Sequence, residues 1–112
     1  SLADDIEDKS FHLMGIDHDG NVIASGRVHF NSEHEAQIRY MAVDDKFKRQ
    51  GIGSKIVTEL ENYALSKQAK TMTLNAREKA ISFYLSLGYS EVCPYQSDTG
   101  IPHKTMKKSL SY

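Results

Sequence analysis

The chain is short of cysteine, of surplus charge and of long apolar runs, and each shortage removes a class of protein. Cys93 is the only cysteine among 112 residues, so no intramolecular disulfide can form and a disulfide-stapled secreted scaffold is excluded. A reducing, cytoplasmic setting is the expectation. Fourteen Lys and Arg stand against fifteen Asp and Glu, a formal net charge of −1. That balance leaves neither the basic surplus of a general nucleic-acid binder nor the acidic surplus of a disordered tail. No apolar run approaches the ~20 residues of a membrane helix, and no apolar block follows a basic start, so neither a membrane span nor a secretion signal is read. His12, His18 and His29 lack ligand spacing to Cys93 or to one another, and no metal site is expected.

What is present is an ordinary globular composition, 39% hydrophobic and 26% charged, in a chain long enough to bury roughly 60–70% of its unfolded surface. Residues 1–10, SLADDIEDKS, read as an acidic lead-in, and residues 11–112 as a single domain. FHLMGID and VIASGRVHF are β-type runs around an Asp-Gly-Asn turn, a hairpin. After the polar turn Asn31–Glu35, AQIRYMAV continues as a third strand, in which Gln37, Arg39 and Met41 alternate with Ile38, Tyr40 and Ala42. GIGSKIVTELENYALSKQ has helical spacing, with Ile52, Ile56, Leu60, Tyr63 and Ala64 on one face. TMTLN is a short strand, AREKAISFYLSLG a second helix stopped by Gly88, and YSEVCPY and PHKTMKKSL a last hairpin around QSDTGI. The order β-β-β-α-β-α-β-β predicts an α/β (α+β) protein with a mixed sheet, since a strand–helix–strand unit implies a parallel crossover beside an antiparallel meander. Ligands in such sheets lie where strands give way to helices, here after Val43 and after Asn75.

The first of these junctions is built for an anion. In KRQGIGS, Gly51 and Gly53 let the backbone come close to a ligand, the helix N-terminus offers free N–H groups, and Lys48, Arg49 and Lys55 add positive charge. It is neither a P-loop nor a dinucleotide fingerprint: there is no G-x-x-x-x-G-K-[ST], and Ile56 occupies the place of the third glycine. Nucleic-acid binding through Lys46, Lys48, Arg49 and Lys55 is disfavoured, because Phe47 is the only aromatic interleaved with these charges.

Lys48-Arg49-Gln50-Gly51-Ile52-Gly53, directly after Met41-Ala42-Val43, resembles the [Q/R]-x-x-G-x-[G/A] acyl-CoA segment of the GCN5-related N-acetyltransferase (GNAT) superfamily, with Lys48 in place of the usual Arg or Gln. LNAREKAISFYLSLGY resembles that family's later segment, and the ending Gly100–Lys108, GIPHKTMKK, a bacterial subgroup of small acetyltransferases. The resemblance implies a GNAT-like acyl-CoA N-acyltransferase fold, in which a further strand and helices would normally precede Phe11 and form one wall of the acceptor site. Without that wall, an open sheet edge would favour self-association into a homodimer.

The resemblance also implies chemistry. Acetyl-CoA would be the co-substrate and an amine, on a small molecule or a protein, the acceptor, with direct transfer in a ternary complex. Met41, Ala42 and Val43 would hold the pantetheine arm, the Val43 N–H polarising the thioester carbonyl. Lys48, Arg49, Gln50, Gly51, Ile52, Gly53 and Ser54 would hold the pyrophosphate, and Asn75, Ala80, Phe83 and Tyr84 the sulfur end. Tyr84 would be the acid toward the leaving thiolate, although a phenol titrates near ~10 and a thiol near ~8.5, so full transfer is uphill unless the site lowers the phenol. Gln37 stands where histone-acetylating members carry a basic glutamate, so the amine proton would leave through water toward His103, Glu35 or His34, or the amine would arrive already neutral. Arg39 could pair with a carboxylate on the acceptor. Cys93, with no base beside it in sequence, reads as a buried structural thiol. Gln37 also motivates an alternative, a non-catalytic acyl-CoA-binding or regulatory module.

Overall fold

The computed structural model describes residues 10–96 and 100–111. The acidic lead-in before Ser10 and the middle of the QSDTGI loop, residues 97–99, lie outside the described residues. Six strands and two helices follow in the order read from the sequence: β1 (Phe11–Ile16), β2 (Val22–Phe30), β3 (Glu35–Val43), α1 (Ile52–Ser66), β4 (Thr71–Arg77), α2 (Ile81–Ser86), β5 (Ser90–Gln96) and β6 (Pro102–Ser109). They form one mixed sheet of order β1-β2-β3-β4-β6-β5, in which β3 and β4 are parallel and every other neighbouring pair is antiparallel.

Local chemistry sets the turns. Asp17 Oδ1 accepts from the N–H groups of Asp19 and Asn21, both at 2.9 Å, and Gly20 takes a positive φ of 84° to close the first hairpin. α1 lays Ile56, Val57, Leu60 and Ala64 on the sheet. It meets β2 at Gly26, where a Cβ would stand 2.8 Å from Ile56 Cγ2 and 3.0 Å from Leu60 Cδ1. The second helix is shorter than AREKAISFYLSLG suggests. Ala76 and Arg77 remain in β4, paired with Lys104 and His103, and a 3₁₀ turn at Glu78–Ala80 precedes a six-residue α2. A strand partner satisfies the backbone there, so the chain stays extended two residues longer.

Both helices cover the same face. Tyr84 and Tyr89, at and after α2, join Leu60 and Ala64 of α1 and Val28, Ile38, Met72, Leu74 and Met106 of the sheet in one core. The opposite face, hereafter the outer face, carries His12, Met14, Ile16 and Tyr40 into solvent.

Two irregularities in β3 shape everything that follows. Its register against β2 jumps from Val28↔Ile38 to Arg27↔Tyr40, so Arg39 is an extra residue in a β-bulge. The even alternation expected for AQIRYMAV therefore breaks. Ala36 and Ile38 point into the core, Arg39 and Tyr40 are both exposed, and Met41 and Val43 return to the helix-covered side. The expectation that Met41 shares a face with Gln37 and Arg39 is corrected by that one inserted residue. In addition, the β3–β4 ladder stops at Ile38↔Leu74, although both strands run on, to Val43 and Arg77. Beyond that point the two strands have no pairing between them, and a cleft opens inside the sheet.

Candidate active site

The cleft is lined on one side by backbone. Asp44 N–H donates to Ile23 O of β2 at 2.7 Å. Because successive strand residues aim their N–H and C=O groups to opposite sides, those of Val43 and Met41 point away from β2, into the cleft, whereas Ala42 faces Ser25 of β2. Met41 and Val43 thus offer the open hydrogen-bonding edge that an extended ligand arm needs.

At the mouth of the cleft stands the N-terminus of α1. Asp44 caps a 3₁₀ turn at Asp45–Phe47, accepting from Lys46 N–H at 2.9 Å, and the chain then passes through positive φ at Arg49 (67°) and Gly51 (81°) into the helix. The first intrahelical bond, Lys55 N–H to Gly51 O at 3.1 Å, leaves the N–H groups of Ile52, Gly53 and Ser54 without helical acceptors. Lys48 pairs with Asp45 at 2.9 Å, while Arg49 and Lys55 are exposed beside this end. Gln50 Nε2 donates to Lys46 O at 3.4 Å. The two glycines serve different ends. Gly51 has open space around it and is fixed by its backbone angle, whereas a Cβ on Gly53 would lie 3.2 Å from Phe83 Cζ and 3.5 Å from Met41 Cε. Gly53, Met41 and Phe83 thus pack together at the start of α1.

The far wall is β4 and α2. Asn75 faces outward and its Oδ1 accepts from Thr105 Oγ1 at 2.7 Å; Ala80 precedes α2. Tyr84 is buried against Phe83 and Tyr89, edge to face, with ring centroids 5.0 and 5.7 Å away. Burial pushes its phenol up to about 12. The site therefore shifts Tyr84 the wrong way for an acid that gives up its proton, and the right way for a neutral hydrogen-bond donor.

The outer face holds the remaining candidates. Gln37 sits just below the last β3–β4 pair and takes a 2.8 Å bond from Asn31 Nδ2 on its Oε1. Glu35 lies two residues further from the cleft. Asn31 Nδ2 donates to it at 3.1 Å and Lys107 Nζ approaches to 3.2 Å, and these contacts hold its carboxyl below the usual carboxylate range. His103 pairs with Arg77 at the cleft end of β4, on the face of Asn75 and Gln37. Its Nδ1 donates to Ile101 O at 2.7 Å, which leaves Nε2 unprotonated in the neutral ring. Arg39, in the bulge, shares that face. Cys93 is not buried: it is exposed on edge strand β5, whose residues all face solvent. Asn31, which positions both Gln37 and Glu35, and Lys107, which neutralises Glu35, had no signal in the sequence beyond membership of a turn and of a basic strand. Among the described residues no group of His, Cys, Asp and Glu could hold a metal ion, and no helix is long and apolar enough to cross a membrane.

A family model described as an acetyltransferase (GNAT) domain matches residues 1–110. The chain belongs to this family. The UPF0039 protein C11D3.02c of Schizosaccharomyces pombe is 30% identical over 112 residues, spanning 96% of this chain and 73% of that protein. The fold is that of solved GNAT proteins. An aminoglycoside 6'-N-acetyltransferase complexed with coenzyme A aligns with a TM-score of 0.83 at 14% identity, over 100% of this chain and 79% of the other. The ribosomal-protein-S18-alanine N-acetyltransferase of Escherichia coli aligns at 0.78 and 23% identity, over 99% and 76%.

Proposed function

We propose that this GNAT domain is an acetyl-CoA-dependent N-acetyltransferase that moves an acetyl group to a primary amine, on a small molecule or a protein, by direct attack in a ternary complex. The observation that carries this reading is the parting of β3 from β4 beyond Ile38 and Leu74, with the open backbone of Met41 and Val43 inside the gap and the unpaired N–H groups of α1 at its mouth.

Acetyl-CoA, when bound, supplies an activated acetyl group and a thiolate leaving group. The α1 N-terminus, with Lys48, Arg49 and Lys55, matches the charge of its diphosphate. Met41 and Val43 offer strand-like hydrogen bonds to an amide-bearing arm, and the Val43 N–H is the donor to negative charge growing on the acyl oxygen. Tyr84 keeps its proton throughout. Against a thiol near ~8.5, a phenol at about 12 makes complete transfer uphill by roughly 5 kcal/mol, so its hydroxyl assists by hydrogen bonding to sulfur rather than by ionising. His103 Nε2 takes the amine proton through water; Glu35, held by Lys107 and Asn31, is the weaker base.

Titration with acetyl-CoA followed by an assay of thiol release with a panel of amines tests the proposal. Binding with amine-dependent release supports it. Binding without release by any amine supports the alternative, a non-catalytic acyl-CoA-binding module.

A further inference from the structure

The bulge in β3 places two arginines together with no counter-charge among the described residues. Arg27 of β2 pairs in register with Tyr40, and Arg39 is the inserted residue beside it. Both line an open cleft of about 440 Å³ on the outer face, together with His12, Ser25 and Tyr40. Among the described residues neither guanidinium makes an ion pair or a side-chain hydrogen bond, and Arg27 Nε is buried without any partner. A buried guanidinium nitrogen that has lost its water and gained no acceptor is costly, and an oxyanion is what such a pair of forks is shaped to take. The position matters as much as the charge. Arg39 is the first β3 residue past the last β3–β4 pair, Ile38↔Leu74, and Gln37 precedes it on the same face. Exposed Met14 and Tyr40 give the cleft apolar flanks.

Resting on the acetyltransferase reading above, we infer that Arg27 and Arg39 form the anion subsite of the acceptor pocket, and that the acceptor is an amine carrying a carboxylate or a phosphate. The anion anchors one end at the bulge while the amine reaches along β3 toward Met41 and Val43, roughly 7–13 Å away at strand spacing.

Matched amines test this: 4-aminobutyrate against 1-butylamine, and phosphoethanolamine against ethanolamine, each assayed for kcat/KM with acetyl-CoA. The charged member of at least one pair is expected to be better by about tenfold or more, and which pair shows the gain separates carboxylate from phosphate. In Arg39→Gln, which alters an exposed side chain, that ratio falls to about one. Arg27→Lys keeps the charge but removes Nε, and lowers the same ratio; a merely structural Arg27 would lower thermal stability and leave the ratio alone. Equal rates within both pairs, or a preference that survives Arg39→Gln, overturn the inference while leaving the acetyltransferase reading intact. If no amine is turned over, glutarate and inorganic phosphate are titrated against the full chain by NMR. Shifts at β2 and β3 that vanish in Arg39→Gln support the subsite, and no shift, or the same shift in the variant, overturns it.

Discussion

Tyr89 donates its hydroxyl to Glu61 Oε2 at 2.8 Å, joining the residue after the α2 turn to the middle of α1. Lys108 of β6 grips the same carboxylate at 3.1 and 3.2 Å and lies over the Tyr89 ring at 5.6 Å. Three elements meet at one buried acid. Gly88, at φ 97°, admits the lysine stem, since a Cβ there would stand 3.3 Å from Lys108 Cε. This clamp fixes α2, and with it Phe83 and Tyr84, against α1 and the cleft.

Glu61→Ala is expected to cost about 2–4 kcal/mol, because it leaves a buried hydroxyl and an ammonium without their acceptor. Urea unfolding of the two proteins measures it. Glu61→Gln, which keeps an acceptor oxygen, should cost less.

The tyrosines impose an alkaline limit. Tyr84 ionises at about 12 in the fold against 10.0 when exposed, and burial together with the Glu61 carboxylate raises Tyr89 as well. A raised phenol is fully stabilised in its neutral form below pH 10. Above that the unfolded chain loses its proton first, so stability falls as pH rises toward 12. The contribution of Tyr84 is on the order of 2–3 kcal/mol. Denaturant midpoints from pH 8 to 11.5 should be flat and then decline, and less steeply in Tyr84→Phe.

At the acid end Glu35 acts in the opposite sense. Its carboxyl is depressed, first by Asn31 and then by Lys107, so the stability it adds is present above about 4.5 and lost as pH falls through its folded value. Lys107 is half exposed, so Lys107→Ala should cost less than about 1 kcal/mol at pH 7, with the difference shrinking as pH falls below 4.5 and Glu35 takes up its proton.

Tyr84→Phe separates catalysis from binding. The Tyr84 hydroxyl makes no hydrogen bond among the described residues, so its removal should leave the fold and the acetyl-CoA affinity intact while kcat falls by about tenfold or more. An unchanged kcat would remove Tyr84 from the chemistry.

Much of the architecture was legible because it rests on local rules. Asp17 and Gly20 mark the hairpin, the spacing of Ile56, Leu60 and Ala64 marks α1, and Gly88 marks the end of α2. The junction Val43–Gly53 was legible as a tight turn into a helix N-terminus because glycines and a helix start are written consecutively. The face assignments beyond Ile38 were not. A β-bulge has no signature in IRYM, yet one inserted residue moves Tyr40 out and Met41 in. Nor could the exposure of Cys93 be read, since it depends on what packs against β5, a fact of tertiary arrangement rather than of the segment YSEVCPY. The pairing of Arg27 with the bulge is likewise long-range.

Calorimetric titration of the chain with acetyl-CoA, beside Gly53→Glu checked for folding by circular dichroism, bears most directly on the cleft between β3 and β4. Micromolar binding that is lost when a side chain is placed at the Gly53–Phe83–Met41 contact is the expected result. A folded wild-type chain that gives no binding, or a Gly53→Glu protein that binds as well as wild type, would contradict the assignment of the cleft and the α1 N-terminus to acetyl-CoA.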